Sequence, residues 1–193
     1  MEREQHLEQT PFAYLIGLEK AILNFAKGMP VHQTSIDNWV GVSFLTGDKV
    51  LLISLEEVVE IMRVPQLAPV PGVKPWLRGM ATSRGELFAV TDFSGFLTQK
   101  ISLLTHESRI LVIHNADEYV GILVDRVLGL QRIANKNIKK AKTEIGSSLA
   151  PFITNAFIHD EGEIPIIDSK PLILDHRFND ISLREDELSE FEG

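Results

Sequence analysis

The chain repeats itself. Residues 40–64 (VGVSFLTGDKVLLISLEEVVEIMRV) lie over residues 109–133 (RILVIHNADEYVGILVDRVLGLQRI) at a constant offset of 69, with no gap. Asp48 falls on Asp117 in the turn, Ile53 on Ile122, Val58 on Val127 and Arg63 on Arg132, while Glu56 falls on Asp125 and keeps the charge. Further on, residues 76–92 lie over residues 152–168, so that Trp76 meets Phe152, and a Gly-Glu pair recurs one residue out of register, Gly85-Glu86 against Gly162-Glu163. The apolar run after each Gly-Glu ends in an aspartate, Asp92 or Asp168. Few positions are identical, and β hairpins share patterns by chance. The common order of hairpin, third strand, loop, two strands and closing aspartate favours a duplicated unit. That limits the fold severely, because each copy must supply the same short strands, about five in number. Five strands with one apolar face close into a small barrel and hide their edges. The expected fold is mainly β, with two small five-stranded β-barrels packed together and an N-terminal α-helix.

The helix is expected over the first apolar stretch. Thr10 is a suitable N-cap and Pro11 a suitable first helical residue, with Gly28 and Pro30 after the end. Leu15, Leu18, Ile22 and Phe25 recur at helical spacing. From Trp39 the texture turns to β runs, with Thr46-Gly47-Asp48-Lys49 as a hairpin turn and Ser83-Arg84-Gly85-Glu86 as another. Pro65, Pro69, Pro71 and Pro75 impose an extended loop that ends at Trp76. Trp76, Phe88, Phe152 and Phe157 are candidate core aromatics. Asp92 and Asp168 are expected to cap short helical turns. The expected division is a polar segment, helix and connector over residues 1–38, two barrel subdomains over 39–178, and an acidic tail over 179–193. Each barrel would come mainly from one half of the chain, with exchange at the junction left open.

Composition excludes several classes. The chain is 44% apolar and 24% charged, which is ordinary for a globular protein. It has no cysteine, so disulfides, thiolate metal sites and a cysteine nucleophile are ruled out. Its longest apolar runs are about four residues, where a membrane helix needs ~20. The start, Met1-Glu2-Arg3-Glu4-Gln5, is acidic and polar and is not expected to serve as a signal peptide. Residues 180–193 hold six acids and one Arg, so −5 of the net −8 lies in the tail and −3 in the rest. An acidic body is a poor partner for nucleic acid.

Catalytic chemistry finds no foothold. None of the six histidines forms a close ligand pair. His159-Asp160-Glu161 falls in a predicted turn, where polar residues are ordinary. No nucleophile elbow or Gly-rich phosphate loop is present. No cofactor and no metal are expected. Residues 126–142 hold six bases and no acid. A solvated strand end is the ordinary reading of such a run, and an acidic protein partner the functional one.

The first copy carries a less ordinary group. Arg84 sits in a Gly-rich strand junction, and Gly79 is a bare strand position where another backbone can approach. Val58 and Glu60 share one face of an alternating strand. An apolar residue and a carboxylate beside an arginine make a small docking surface.

These residues also carry a resemblance. Val58-Val59-Glu60-Ile61, then Pro71-Gly72, Gly79, Arg84-Gly85 and Val90-Thr91-Asp92, resemble the CheW-like domain family. So does Gly121-Ile122-Leu123-Val124-Asp125-Arg126-Val127-Leu128-Gly129. The match covers residues 39–175, and residues 70–79 with the preceding helix resemble the branch of the family that serves type IV pili and twitching motility. The resemblance implies two intertwined SH3-like β-barrels and a non-catalytic, cytoplasmic adaptor recruited to membrane-associated arrays. It would link a chemoreceptor's cytoplasmic tip to the regulatory domain of a CheA-like histidine kinase. By position, Val58, Glu60, Gly79, Arg84 and Gly85 are implied to meet the receptor. Two departures stand out: Thr82-Ser83 replaces the family's usual Asn-Leu before Arg-Gly, and Phe93 replaces a Leu. The competing expectation is a small-ligand sensor or an enzyme that uses the cleft between the barrels.

Overall fold

The computed structural model describes residues 38–115, 118–141, 148–160 and 162–183, apart from the side chains of Asn115 and Glu118. The expected N-terminal helix and all of the tail beyond Leu183 lie outside the described residues.

Among the described residues, eleven strands form two sheets. The first copy supplies β1 (Asn38–Thr46), β2 (Lys49–Ser54), β3 (Val58–Arg63), β4 (Leu77–Ser83) and β5 (Glu86–Asp92). The second supplies β6 (Arg109–Asn115), β7 (Glu118–Val124), β8 (Arg126–Ala134), β9 (Ile138–Lys140), β10 (Ile153–His159) and β11 (Gly162–Ile167). The offset that aligns the sequences also aligns the strands. β10 is β4 moved by 76 residues, and β7 and β8 overlie β2 and β3 moved by 69.

The copies exchange strands reciprocally. One sheet runs β8-β1-β2-β11-β10-β9 and the other β3-β6-β7-β5-β4. The first hairpin, β1–β2, is therefore built into the sheet of the second copy's later strands, and the β6–β7 hairpin into that of the first. The pairings match position for position. Ile166 faces Leu52 in the parallel pair β11–β2, and Val90 faces Gly121 in the parallel pair β5–β7. The same symmetry places a register shift at Ser43/Phe44 in β1–β8 and at Val58/Glu60 in β3–β6.

Both sheets close in the same way. After β3 the chain crosses to the far edge, where Ala68 pairs with Met80 of β4. After β8 it crosses likewise, and β9 pairs with β10. Each edge is thus covered by the chain leaving the opposite edge, which removes an open template for aggregation.

Alternation along the strands divides the apolar side chains between two cores. Ile110, Val112 and Leu123 point into the smaller barrel with Phe88 and Val90. Their neighbours Leu111, Ile113, Ile122 and Val124 face the other way, into the larger core with Val42, Phe44, Leu51 and Ile53. Trp76, Phe88 and Phe152 are buried and Phe157 half-buried. Trp76 lies edge-on to Phe96 at 5.4 Å and stacked on Phe178 at 6.3 Å.

Short helices follow each copy. Asp92 caps α1 (Phe93–Thr98) by accepting from Gly95 N–H at 3.0 Å, and Asp168 caps α2 (Ser169–Leu174) by accepting from Lys170 N–H at 3.0 Å. Asp175 caps α3 (His176–Asn179), and Arg177 returns to it with two side-chain hydrogen bonds, 3.0 and 2.7 Å. Those bonds hold the Asp175 carboxyl below its ordinary range, although burial opposes the shift.

Candidate functional site

Three neighbouring features build a small hollow that opens onto the core of the smaller barrel. The first is the β4–β5 turn. Ser83 pairs with Glu86, and the two residues between, Arg84 (φ 52) and Gly85 (φ 90), both have positive φ. A two-residue hairpin requires this to match the twist of its strands. Glycine adopts it freely, whereas an arginine there costs about 1 kcal/mol.

The second feature is the β-bulge in β3. Val58 faces Ile113 and Glu60 faces Val112, so Val59 is the extra residue. Val58 packs half-buried against the larger core. Val59, 40% exposed, takes its place beside Glu60 in the hollow. The third feature is the β6–β7 pair, which contributes Val112 and Tyr119. Phe88 supplies the apolar floor, while Ser83, Glu86 and Arg84 form the polar rim.

The carboxylate of Glu60 takes two partners at one oxygen, Oε2. It accepts from Ser83 Oγ at 2.5 Å and pairs with Arg84 Nε at 3.4 Å. Arg84 is 72% exposed at its side chain, so the ion pair contributes at most about 1 kcal/mol to stability. Ser83 is one of the departures from the family pattern, and it is the hydroxyl that fixes Glu60. Phe93, the other departure, is fully buried and lies edge-on to Phe44 at 6.5 Å.

The five residues singled out from sequence do not all share this surface. Glu60, Arg84 and Gly85 meet at the hollow. Val58 points into the core behind it. Gly79 is buried, with φ 132, and a Cβ there would lie 2.5 Å from Ala68 O. The approaching backbone at Gly79 is therefore the segment that closes the barrel. Val59, Phe88 and Tyr119 were not singled out; the bulge that presents Val59 breaks the alternation on which sequence reading depends.

Among the described residues no three His, Asp or Glu side chains are placed to hold a metal. No helix among them is long and apolar enough to cross a membrane. The His159 ring stacks on Phe157 at 5.4 Å.

Comparison with known proteins agrees with this architecture. A model of the CheW-like domain matches residues 40–176. Protein PilI of Pseudomonas aeruginosa is 31% identical over 153 residues, 79% of this chain and 86% of that protein. FrzA of Myxococcus xanthus is 32% identical over 90 residues, 47% of this chain and 56% of that protein. The crystal structure of the scaffolding protein TtCheW from Thermoanaerobacter tengcongensis superposes with a TM-score of 0.65 at 18% identity, over 76% of this chain and 99% of that one, and so shares the fold. With the duplicated unit, the two closed sheets and these matches together, the chain belongs to the CheW-like family of chemosensory scaffold proteins.

Proposed function

We propose that the chain is a non-catalytic adaptor that couples a chemoreceptor's cytoplasmic tip to a CheA-like histidine kinase, in the control of twitching motility by type IV pili. Residues 39–178 form the coupling domain. The hollow on the smaller barrel receives the receptor through Glu60, Arg84 and Gly85, with Val58 and Gly79 holding that surface in place from behind.

The observation that carries this reading is Arg84 itself. It occupies a turn position that glycine fills at lower cost, and its ion pair returns little stability. A side chain kept there against its backbone preference is better explained by what it touches outside the chain. The likeness to PilI over most of both chains supports the pilus branch. The apolar floor and polar rim suit a protein partner more than a small substrate.

An adaptor transmits a signal only if it binds two partner states differently. The test is binding of receptor cytoplasmic tips to the full chain and to Arg84→Glu. Charge reversal is expected to weaken binding about tenfold or more, equivalent to about 1.4 kcal/mol, with the circular dichroism spectrum unchanged. Unchanged binding by a folded variant would remove the hollow as the receptor site.

A further inference from the structure

The two copies differ most in the segment that closes each barrel. In the first copy this segment is Val64-Pro65-Gln66-Leu67-Ala68-Pro69-Val70-Pro71, with no charge. In the second, the same structural positions carry Lys136, Lys139 and Lys140, just after Arg132. The fold closes equally well with either sequence, so it does not require the bases.

The four side chains are exposed along the end of β8, the following turn and β9. None of them has an ion pair among the described residues. Their neighbour Arg126 does have one, with Glu107 at 3.6 Å. Four uncompensated cations on a chain of net charge −8 form a local positive strip.

We propose that this strip is a docking surface for an acidic peptide segment, and that its occupant is the chain's own residues 184–193. That segment holds Glu185, Asp186, Glu187, Glu190 and Glu192 against one Arg184. Its starting point is fixed, because Leu183 N–H donates to Gly72 O at 3.0 Å and Ser182 pairs with Val73. The route back to the strip runs through packed neighbours. Lys140 pairs with Asn155, three residues from Phe152, and the guanidinium of Arg177 lies 5.6 Å from the Phe152 ring. Ten extended residues reach about 33 Å, and a body of this size has a radius of gyration of about 15 Å. The contour of the tail is thus comparable with the size of the body, and the proposal places the strip within its reach on the same molecule. Each exposed ion pair is weak, but tethering makes the encounter intramolecular and lets several pairs act together. An acidic segment of a partner then has to displace the tail before it can use this surface.

The lack of cysteine makes the test clean. Ser189→Cys carries a single nitroxide on the otherwise intact chain, and amide line broadening reports which residues it visits. At about 0.01 M salt, where the Debye length is about 30 Å, the amides of residues 132–140 are expected to broaden while those of β4 do not. At about 1 M salt, where it is about 3 Å, the broadening is expected to vanish. It is also expected to vanish in the triple variant Arg132→Glu, Lys139→Glu, Lys140→Glu, whose own spectrum reports that it remains folded. Absence of broadening at low salt, or its persistence in that variant, overturns the proposal. An equal mixture of isotope-labelled, unmodified chain with unlabelled, spin-labelled chain separates the sources. Broadening of the same amides in that mixture would assign the strip to a second copy and overturn occupancy by the molecule's own tail.

Discussion

Asp92→Ala is expected to cost far more than Asp168→Ala, although the two aspartates hold the same position of the repeat and both cap a helix. Asp168 is half-buried, and its loss removes a cap worth about 1 kcal/mol. Asp92 is fully buried and accepts from four donors: Gly95 N–H at 3.0 Å, Ser102 N–H at 2.7 Å, Ser102 Oγ at 2.9 Å and Arg78 Nη1 at 3.2 Å. Arg78 is 21% exposed at its side chain and keeps only the Ser102 carbonyl, at 2.9 Å, when Asp92 is gone. Removing one partner of a buried ion pair costs about 3–5 kcal/mol. Asp92→Ala should therefore exceed Asp168→Ala by about 3 kcal/mol, a large share of a typical total of about 5–15 kcal/mol. Urea denaturation of the full chain measures both, with Trp76 as a buried fluorescent probe. If the two variants agree to within about 0.5 kcal/mol at equal m-values, burial of the aspartate is not what sets its worth, and the ledger at Asp92 is wrong.

Three further outcomes are expected. Gly79→Ala should lower stability by about 1–3 kcal/mol through its positive φ and the approach of Ala68 O, and a thermal midpoint equal to the parent's would contradict the closure seen there. Arg84→Gly should leave stability within about 1 kcal/mol, since the relieved backbone offsets the lost ion pair, while receptor-tip binding falls; a folded variant that still binds at parental strength would refute the role of the side chain. Asp175→Asn keeps a capping side chain but loses the charge. Asp175 has its folded pKa below the unfolded value of 3.8, so its contribution is complete above about pH 4 and fades as pH falls through the lowered value. The parent and Asp175→Asn stability curves should therefore differ at neutral pH and converge in acid, and a gap that stayed constant in acid would count against the Arg177 pairing.

The duplication was legible because both copies keep their hydrophobic period and turn residues. The Asp92 and Asp168 caps follow from the same signals, and the two-barrel fold from the need to hide strand edges. The reciprocal exchange of hairpins was not legible. Ile166 against Leu52 and Val90 against Gly121 are equivalent pairings, so nothing local tells β1–β2 which copy's later strands to join. At the hollow, Glu60 and Arg84 were readable as a charged pair beside a turn. Val59 was not, because one extra residue in β3 changes which side chains face outward. Gly79 was correctly read as a close approach of backbone, but only the structure shows that the backbone is this chain's own segment at Ala68.

The exchanged hairpins also set a timetable for synthesis. The β1–β2 hairpin leaves the ribosome early, yet its parallel partner β11 ends at Ile167. At about 5–20 residues per second the hairpin waits roughly ten seconds for that strand. The strands β3, β4 and β5 wait in turn for β6 and β7. The smaller barrel, made of β3 to β7, has all its strands once Val124 is made, so it can close first, while the larger one must wait for β8 to β11. During that interval the edge of β2 stays unpaired, and chaperone demand should fall on the growing polypeptide rather than on the completed protein.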